Sequence, residues 1–256
     1  MTTLAQLAEI VDDASRNATA IPQLTTDNPD FGVEDGYAVQ ALSMARRYAR
    51  GERRVGMKMG LTSRAKMIQV GVSEMCWGRL TDVMRVEEGG AVSRARFIHP
   101  RVEPEVAFLL KAPLAGEVSA VEAMAAVQAV APALEIIDSR FKDFKFALPD
   151  VVADNSSSSA FVVGQWHDPS VDVSNLGIVL EADGRAVQIG STAAILGHPV
   201  RSLVAAARLV AKWGERLEAG SIVMAGGATA AHPLVAGMHI HMSMQTLGSV
   251  SFRVED

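Results

Sequence analysis

The sequence contains a single cysteine, Cys76, so an internal disulfide is impossible and a reducing compartment is expected. The sequence has fewer basic than acidic residues, with 24 Lys and Arg and 29 Asp and Glu. The resulting net charge of -5 argues against a broad nucleic-acid-binding surface. The N-terminus lacks a basic region and a long apolar core, and charged residues interrupt each apolar run. We therefore expect a cytoplasmic protein with no signal peptide and no membrane span.

The composition, 49% hydrophobic and 21% charged over 256 residues, is that of an ordinary globular protein. Apolar residues recur at helical spacing in segments 4–18 and 33–50, whereas most segments after residue 55 are strand-like. The pattern predicts an α+β fold, with a helical N-terminal cap region at 1–54 and a β-rich domain at 55–256. Further predicted elements are helices at 63–70 and 118–131 and a hairpin turn at Asp183–Gly184.

Two glutamates interrupt the apolar, strand-like segment 102–110. In an extended strand Glu103 and Glu105 point to the same face, where like charges repel and require a cation. A third carboxylate follows in a similar segment, from either Glu135 or Asp138, which face opposite sides of a regular strand. Neither segment contains Cys or His, and such oxygen ligands suit Mg²⁺ or Mn²⁺ rather than zinc. The spacing alone is equally compatible with exposed acids on an edge strand.

Two further segments carry candidate functional groups. Lys58 interrupts a short apolar strand, which is costly unless the ammonium is paired or functional, although an edge-strand lysine is the alternative. Four serines at 156–159 separate apolar segments and can present hydroxyl and N–H groups to an anion, or form a polar turn. Segment 139–145 alternates basic and aromatic residues, which favours either a solvated helix start or a source of cations for an anionic substrate.

Several motifs occur in a characteristic order: VGMKMGLTSRAKM, GRLTD, HPRVEPEVAFLL, PALEIIDSR, DVVADNSSSS and QIGSTAAILGHP. Together they resemble the hydratase/decarboxylase family of aromatic meta-cleavage pathways, within the fumarylacetoacetate hydrolase superfamily. The resemblance extends from about residue 33 to the end of the chain. It implies a β-rich roll of mixed sheets with a small helical N-terminal region.

The resemblance also implies a set of site residues. The expected ligands of Mg²⁺, for which Mn²⁺ can substitute, are Glu103, Glu105 and Glu135, with Asp138 as the rival third ligand, and the expected catalytic residue is Lys58. The serine loop and the Gly226–Thr229 turn are expected to bind the carboxylate and oxo group of the substrate. The substrate-binding residues implied are Asn155, Ser157, Ser158, Gln188 and Thr229.

Within the family, the segments GRLTD, KDFKFALPDVVADNSSSS and VMAGGATAA favour the decarboxylase branch. That branch implies Mg²⁺-dependent decarboxylation of 2-oxo-3-hexenedioate, a small 2-oxo dicarboxylate. Two alternatives remain open: a hydratase that acts on 2-oxopent-4-enoate, and a catalytically idle subunit that binds a partner enzyme. The expected partners are the pathway hydratase and further copies of the same chain, with neither nucleic acid nor membrane.

Overall fold

The computed structural model describes residues 2–63, 67–68 and 74–256. The helix expected at 63–70 lies largely outside these residues. The helices are α1 Leu4–Arg16, α2 Leu24–Asp27, α3 Val33–Ala49, α4 Ala120–Ala125, α5 Leu148–Ala153 and α6 Pro199–Lys212. The strands are β1 Arg54–Gly60, β2 Cys76–Thr81, β3 Arg85–Val86, β4 Ala91–Ser93, β5 Arg101–Leu110, β6 Val127–Ile137, β7 Ser158–Val163, β8 Gly177–Ala182, β9 Arg185–Ser191, β10 Ile222–Met224, β11 His232–Pro233, β12 His239–Met244 and β13 Gly248–Glu255.

The strands form two sheets. The larger has eight strands in the order β2-β1-β10-β5-β6-β7-β3, with β11 pairing with β5. It is mixed, because β1 and β10 are parallel whereas β5 and β6 are antiparallel. The smaller sheet has five strands in the order β4-β13-β12-β8-β9. This architecture confirms the predicted α+β class with mixed sheets.

The central strands β5 and β6 are buried along almost their whole length. One face of β5 places Val102, Val106 and Phe108 in the main core. The opposite face carries Glu103 and Glu105, followed by Ala107, which belongs to a second apolar cluster. A strand covered on both sides has a nearly continuous apolar sequence, so the two glutamates are exceptions within a hydrophobic strand.

The N-terminal helices pack against the β-rich part of the chain. Leu7 and Val11 of α1 and Leu24 of α2 share a cluster with Phe141, which follows β6. In addition, Thr25 donates hydrogen bonds from its backbone N–H and its hydroxyl to the Asp150 carboxylate, at 3.0 and 2.8 Å. The helical region therefore lies beside α5, directly before the serine loop.

The prediction of a helix at 118–131 is wrong for most of its length. Only Ala120–Ala125 is helical, begun by a capping box between Ser119 and Glu122, and β6 starts at Val127. Alanine favours helices in isolation, but helix propensity is a weak preference. As a strand, this alanine-rich segment forms hydrogen-bonded ladders with β5 and β7 and is buried between them. These tertiary interactions override the propensity. By contrast, the hairpin at Asp183–Gly184 is confirmed, and both residues have the positive φ that a tight type I′ turn requires.

One segment, Thr192–Lys212, is long and apolar enough to cross a membrane by length and composition alone. Half of it is buried inside the fold. The α-helix within it has 14 residues, which span about 21 Å, less than the roughly 30 Å of a bilayer core. These properties are those of a core helix packed on a sheet.

The close approach of β2 to the serine loop yields a test of the fold. A Cβ on Gly78 would lie 2.2 Å from the Asn155 carbonyl oxygen, whereas a Cβ on Gly177 would find its nearest neighbour at 3.7 Å. Gly78→Ala should therefore destabilise the protein by about 1–3 kcal/mol, and lower its melting temperature by about 2–10 °C. Gly177→Ala is the matched control. Equal melting temperatures for the two variants would contradict the close contact.

Candidate active site

Three glutamates meet on one face of the large sheet. Glu103 of β5 lies directly opposite Glu135 of β6 in the antiparallel ladder, and Glu105 follows two residues along β5. Each offers one carboxylate oxygen, and these oxygens all lie within 4.8 Å of one another. The side chains are buried, with 8%, 0% and 0% exposure for Glu103, Glu105 and Glu135. The strand register thus produces a buried tricarboxylate cluster.

Among the described residues, Lys58 supplies a cation beside this cluster. Its Nζ lies 3.1 Å from Glu135 Oε2 and donates a hydrogen bond of 2.9 Å to the Ser156 carbonyl oxygen. Burial disfavours the charged ammonium, but the charges of Glu135, Glu105 and Glu103 outweigh burial and raise the pKa of Lys58. The sequence expectation of a paired lysine, rather than an edge-strand lysine, agrees with this position between β2 and β10.

The cluster carries more negative charge than Lys58 can balance. Burial and the neighbouring Glu135 charge raise the pKa of Glu105 well above its ordinary value, despite the opposing effect of Lys58. Burial likewise raises the pKa of Glu135, again against the effect of Lys58. Counted over the described residues, three ionised carboxylates and the Lys58 ammonium sum to a charge of two minus. A divalent cation would neutralise that charge and allow all three carboxylates to ionise.

The hydrogen bonding of the cluster also fits a metal. Glu105 Oε2 accepts a 2.6 Å hydrogen bond from the Gly226 backbone N–H. Glu105 Oε1 and Glu135 Oε1 are buried and have no hydrogen-bond partner among the described residues. Orphaned carboxylate oxygens are costly in a buried site, and a hard cation such as Mg²⁺ or Mn²⁺ would satisfy them.

Asp138, the rival third ligand, has a different position. Its carboxylate accepts hydrogen bonds from the backbone N–H groups of Ile98 and His99, at 2.8 and 2.7 Å. Both oxygens therefore hold the segment that leads into β5. The structure brings Glu135, and not Asp138, into the cluster with Glu103 and Glu105.

The serine loop has an unusual backbone. Asn155, Ser156 and Ser157 have φ values of 49°, 54° and 58°, and such left-handed geometry costs about 1–2 kcal/mol for each non-glycine residue. The turn directs the Ser156 carbonyl toward Lys58. The hydroxyls of Ser156 and Ser157 are buried without a hydrogen-bond partner in the described part of the chain. Strain and unsatisfied hydroxyls at one loop are typical of a preorganised binding site.

A cavity of about 960 Å³ opens at the cluster. Of the residues expected to act in the site, Lys58, Glu103, Ser157 and Thr229 line it, and Glu105 and Glu135 lie buried next to Glu103. Such a volume, within the usual range for small-molecule sites, accommodates a six-carbon diacid.

Three of the expected substrate-binding residues are not among the described residues that line the cavity. Asn155 uses its whole amide on the Arg79 backbone: Oδ1 accepts from the N–H at 2.7 Å and Nδ2 donates to the carbonyl at 2.9 Å. Asn155 therefore pins the serine loop to β2. Ser158 is buried at the start of β7, and Gln188 lies on β9 in the smaller sheet.

Sequence reasoning missed other groups that line the cavity, namely Gln23 and Arg101, and it included Ser156 only as part of the serine loop. Arg101 carried a detectable signal, because it lies two residues before Glu103 in the same strand and so shares its face. Gln23 had no recognisable signal in the sequence, because only tertiary packing brings the N-terminal region to the site. Cys76 also lines the cavity, and burial raises the pKa of its thiol, which disfavours the thiolate form that a nucleophile requires.

Comparison with known proteins places the chain in a family. Residues 51–255 match the model of the fumarylacetoacetate (FAA) hydrolase C-terminal domain. A 4-oxalocrotonate decarboxylase from a Pseudomonas species is 57% identical over 249 residues, 97% of each protein. The 2-hydroxyhexa-2,4-dienoate hydratase of Comamonas testosteroni is 35% identical over 246 residues, 94% of this chain and 93% of the hydratase.

A solved structure agrees with these relatives. The 4-oxalocrotonate decarboxylase of Pseudomonas putida, complexed with magnesium and adipate, superposes with a TM-score of 0.95 at 42% identity, over 98% of this chain and 97% of that one. The chain therefore belongs to the fumarylacetoacetate hydrolase family, and the fold expected from the resemblance is confirmed.

A metal titration tests the glutamate cluster without any assay of activity. Glu105→Gln keeps the shape of the side chain but removes one ligand charge. Loss of a residue that only hydrogen-bonds a metal ligand typically lowers metal affinity about 10- to 100-fold. Because Glu105 is an expected ligand itself, the Mn²⁺ affinity measured by calorimetry should fall by more than that. Asp138→Asn is the control, because Asp138 lies outside the cluster. Its Mn²⁺ affinity should stay within about threefold of wild type. The opposite ranking of the two variants would make Asp138 a ligand.

Proposed function

We propose that the protein catalyses the Mg²⁺-dependent decarboxylation of 2-oxo-3-hexenedioate (4-oxalocrotonate). The products are CO₂ and 2-hydroxypenta-2,4-dienoate, which is the enol of 2-oxopent-4-enoate. The observation that carries the proposal is the buried cluster of Glu103, Glu105 and Glu135, with Lys58 beside it at the wall of a cavity. The 57% identity to a 4-oxalocrotonate decarboxylase along nearly the full length supports it.

The three glutamates would hold the ion. When bound, Mg²⁺ supplies Lewis-acid stabilisation of the negative charge that develops on the 2-oxo oxygen. Mn²⁺ has similar oxygen preferences and is expected to substitute. The C1 carboxylate and the 2-oxo group of the substrate then belong at the glutamate end of the cavity, where the hydroxyls of Ser156 and Ser157 and the Thr229 turn offer hydrogen bonds.

The electron flow explains why a 2-oxo-3-enoate can lose its far carboxylate. The C5–C6 bond breaks, and its electron pair forms the C4=C5 double bond. The former C3=C4 electrons move to C2=C3, and the negative charge arrives on the 2-oxo oxygen. The substrate's own conjugated ketone is the electron sink, so no Schiff base is required.

Lys58 is positioned to donate a proton to that oxygen. Its ammonium is fixed between Glu135 and the Ser156 carbonyl, at the glutamate end of the cavity. A proton held at Lys58 Nζ can pass to the 2-oxo oxygen as charge accumulates there, which gives the enol product. Glu105 and Glu135 are fully buried, so this end of the cavity is shielded from bulk solvent on the side of the sheet.

Hydration of 2-oxopent-4-enoate is the second candidate function. The 35% identity to a 2-hydroxyhexa-2,4-dienoate hydratase supports it. A catalytically idle subunit is disfavoured, because an idle chain gains nothing from burying three glutamates beside a lysine.

We further propose that the reaction takes place in the cytoplasm, within aromatic meta-cleavage catabolism. The pathway hydratase, which consumes the product, is the expected protein partner, and the chain is expected to form a homo-oligomer. The 2-hydroxyhexa-2,4-dienoate hydratase among the relatives of this chain supports a common ancestry of decarboxylases and hydratases in this family.

A substrate comparison tests the proposal. Purified protein with Mg²⁺ should release CO₂ from 2-oxo-3-hexenedioate, and exhaustive chelation should abolish the release until Mg²⁺ or Mn²⁺ is restored. The same preparation should hydrate 2-oxopent-4-enoate far more slowly. Hydration as the faster reaction would select the second candidate, and full activity after chelation would refute the metal-dependent mechanism.

Lys58→Met separates proton transfer from binding, because methionine keeps much of the side-chain volume and removes the ammonium. We expect kcat to fall at least about a hundredfold, while Mn²⁺ binds with an affinity changed by no more than about tenfold. Lys111→Met, at an exposed lysine, is the control and should match wild type. A loss confined to KM would mean that Lys58 only anchors the substrate.

A further inference from the structure

The substrate of the proposed reaction is a dianion, and each of its two carboxylates requires its own binding group. The cavity offers three cationic side chains among the described residues that line it, namely Lys58, Arg101 and Lys145. Lys58 is already engaged by Glu135 and by the Ser156 carbonyl at the glutamate end. The distal carboxylate therefore needs a second cation.

Arg101 lies at a suitable distance along the floor of the cavity. It is two residues before Glu103 on the same face of β5, so the two Cα atoms are about 6.8 Å apart. Between C2 and C6 the substrate has four carbon–carbon bonds of about 1.5 Å, which span roughly 5 Å. A molecule with its 2-oxo group at the glutamates can thus extend its C6 carboxylate toward Arg101.

The backbone of Arg101 is held on both sides. It pairs with Ile137 of β6 and with Pro233 of β11, so the residue belongs to the sheet and not to a loop. The Arg101 side chain is half-buried, with access to the cavity. A cation on a sheet strand is positioned more accurately than one on an exposed loop, such as Lys145.

An aromatic ring braces the guanidinium. The Arg101 Cζ atom lies 4.4 Å from the centre of the Phe144 ring, which also packs against the His99 ring at 5.1 Å. Asp143 and Phe144 both adopt left-handed backbone geometry, with φ of 59° and 57°, so the loop maintains a strained conformation that presents Phe144 to the cavity. Stacking fixes the plane of the guanidinium, and no carboxylate of the described residues pairs with its N–H edge, which can therefore donate to a substrate carboxylate.

We propose that Arg101, braced by Phe144, binds the distal C6 carboxylate of the substrate and thereby selects dicarboxylates over monocarboxylates. This inference rests on the proposed function for the identity of the dianion. The planar fork of arginine matches a carboxylate with two parallel hydrogen bonds, which a lysine cannot supply. Arg101 is therefore a binding residue, separate from the proton-handling Lys58.

The chemistry predicts how Arg101 affects the kinetics. The C6 carboxylate leaves as neutral CO₂, so its negative charge decreases on the way to the transition state. A cation at that position stabilises the bound substrate at least as much as the transition state. Loss of Arg101 should raise KM for 2-oxo-3-hexenedioate by about tenfold or more and leave kcat within about threefold of wild type.

A matched pair of unreactive ligands tests the proposal by binding alone. 2-Oxohexanedioate and 2-oxopentanoate share the 2-oxo acid end and differ by the distal carboxylate, and neither has the double bond that decarboxylation requires. Calorimetry on the Mg²⁺-loaded wild type should show tighter binding of the diacid by about tenfold or more. In Arg101→Met this preference should disappear, in Arg101→Lys it should be partly kept, and in Lys145→Met it should persist.

The outcomes separate this inference from the proposed function. An unchanged diacid preference in Arg101→Met, or its loss in Lys145→Met, would overturn the assignment of Arg101 even if the wild type releases CO₂. A wild type that prefers the diacid through Arg101 but releases no CO₂ would leave the binding assignment intact and refute the decarboxylase proposal. A fall in kcat without a change in KM would make Arg101 part of the reaction chemistry and contradict the inference.

Discussion

The burial of three carboxylates beside the Lys58 ammonium is the constraint on which the rest of the site depends. The antiparallel register of β5 and β6 places Glu103 opposite Glu135, and the two-residue period of β5 adds Glu105. Lys58 reaches this cluster from β1 through an ion pair with Glu135. A cluster of this charge is expensive in a protein interior, and its cost explains why a divalent cation belongs to the folded, active protein.

The surrounding structure holds this arrangement by means of close backbone contacts. Gly78 allows β2 to approach the serine loop, where Asn155 hydrogen-bonds the Arg79 backbone in both directions. The resulting left-handed turn presents the Ser156 carbonyl to Lys58. Strain in the turn is thus offset by hydrogen bonds on both sides, and the lysine is oriented by the same loop whose hydroxyls we propose to bind the substrate. In the proposed mechanism, substrate binding and proton transfer are consequently coupled in one short segment.

Local sequence patterns predicted the parts of the site that depend on a single strand. The period of β5 alone places Glu103 and Glu105 on one face, and the lone lysine in β1 indicated a paired or functional cation. The choice between Glu135 and Asp138 was beyond local reasoning, because it depends on the register of β6, whose first half resembles a helix in its alanine content. Likewise, nothing in the sequence indicates that the Asn155 amide is used internally, or that Gln23 reaches the cavity, since both depend on contacts between distant segments.

The central claim is that Glu103, Glu105 and Glu135 hold a divalent cation beside Lys58. Anomalous diffraction from crystals grown with Mn²⁺ tests it most directly, because the anomalous signal locates the metal independently of any assumed mechanism. The account predicts one strong peak with an oxygen of each glutamate at about 2.1 Å, and Lys58 next to it but not coordinated. A peak at Asp138, or none at the cluster in crystals of the folded protein, would contradict the account.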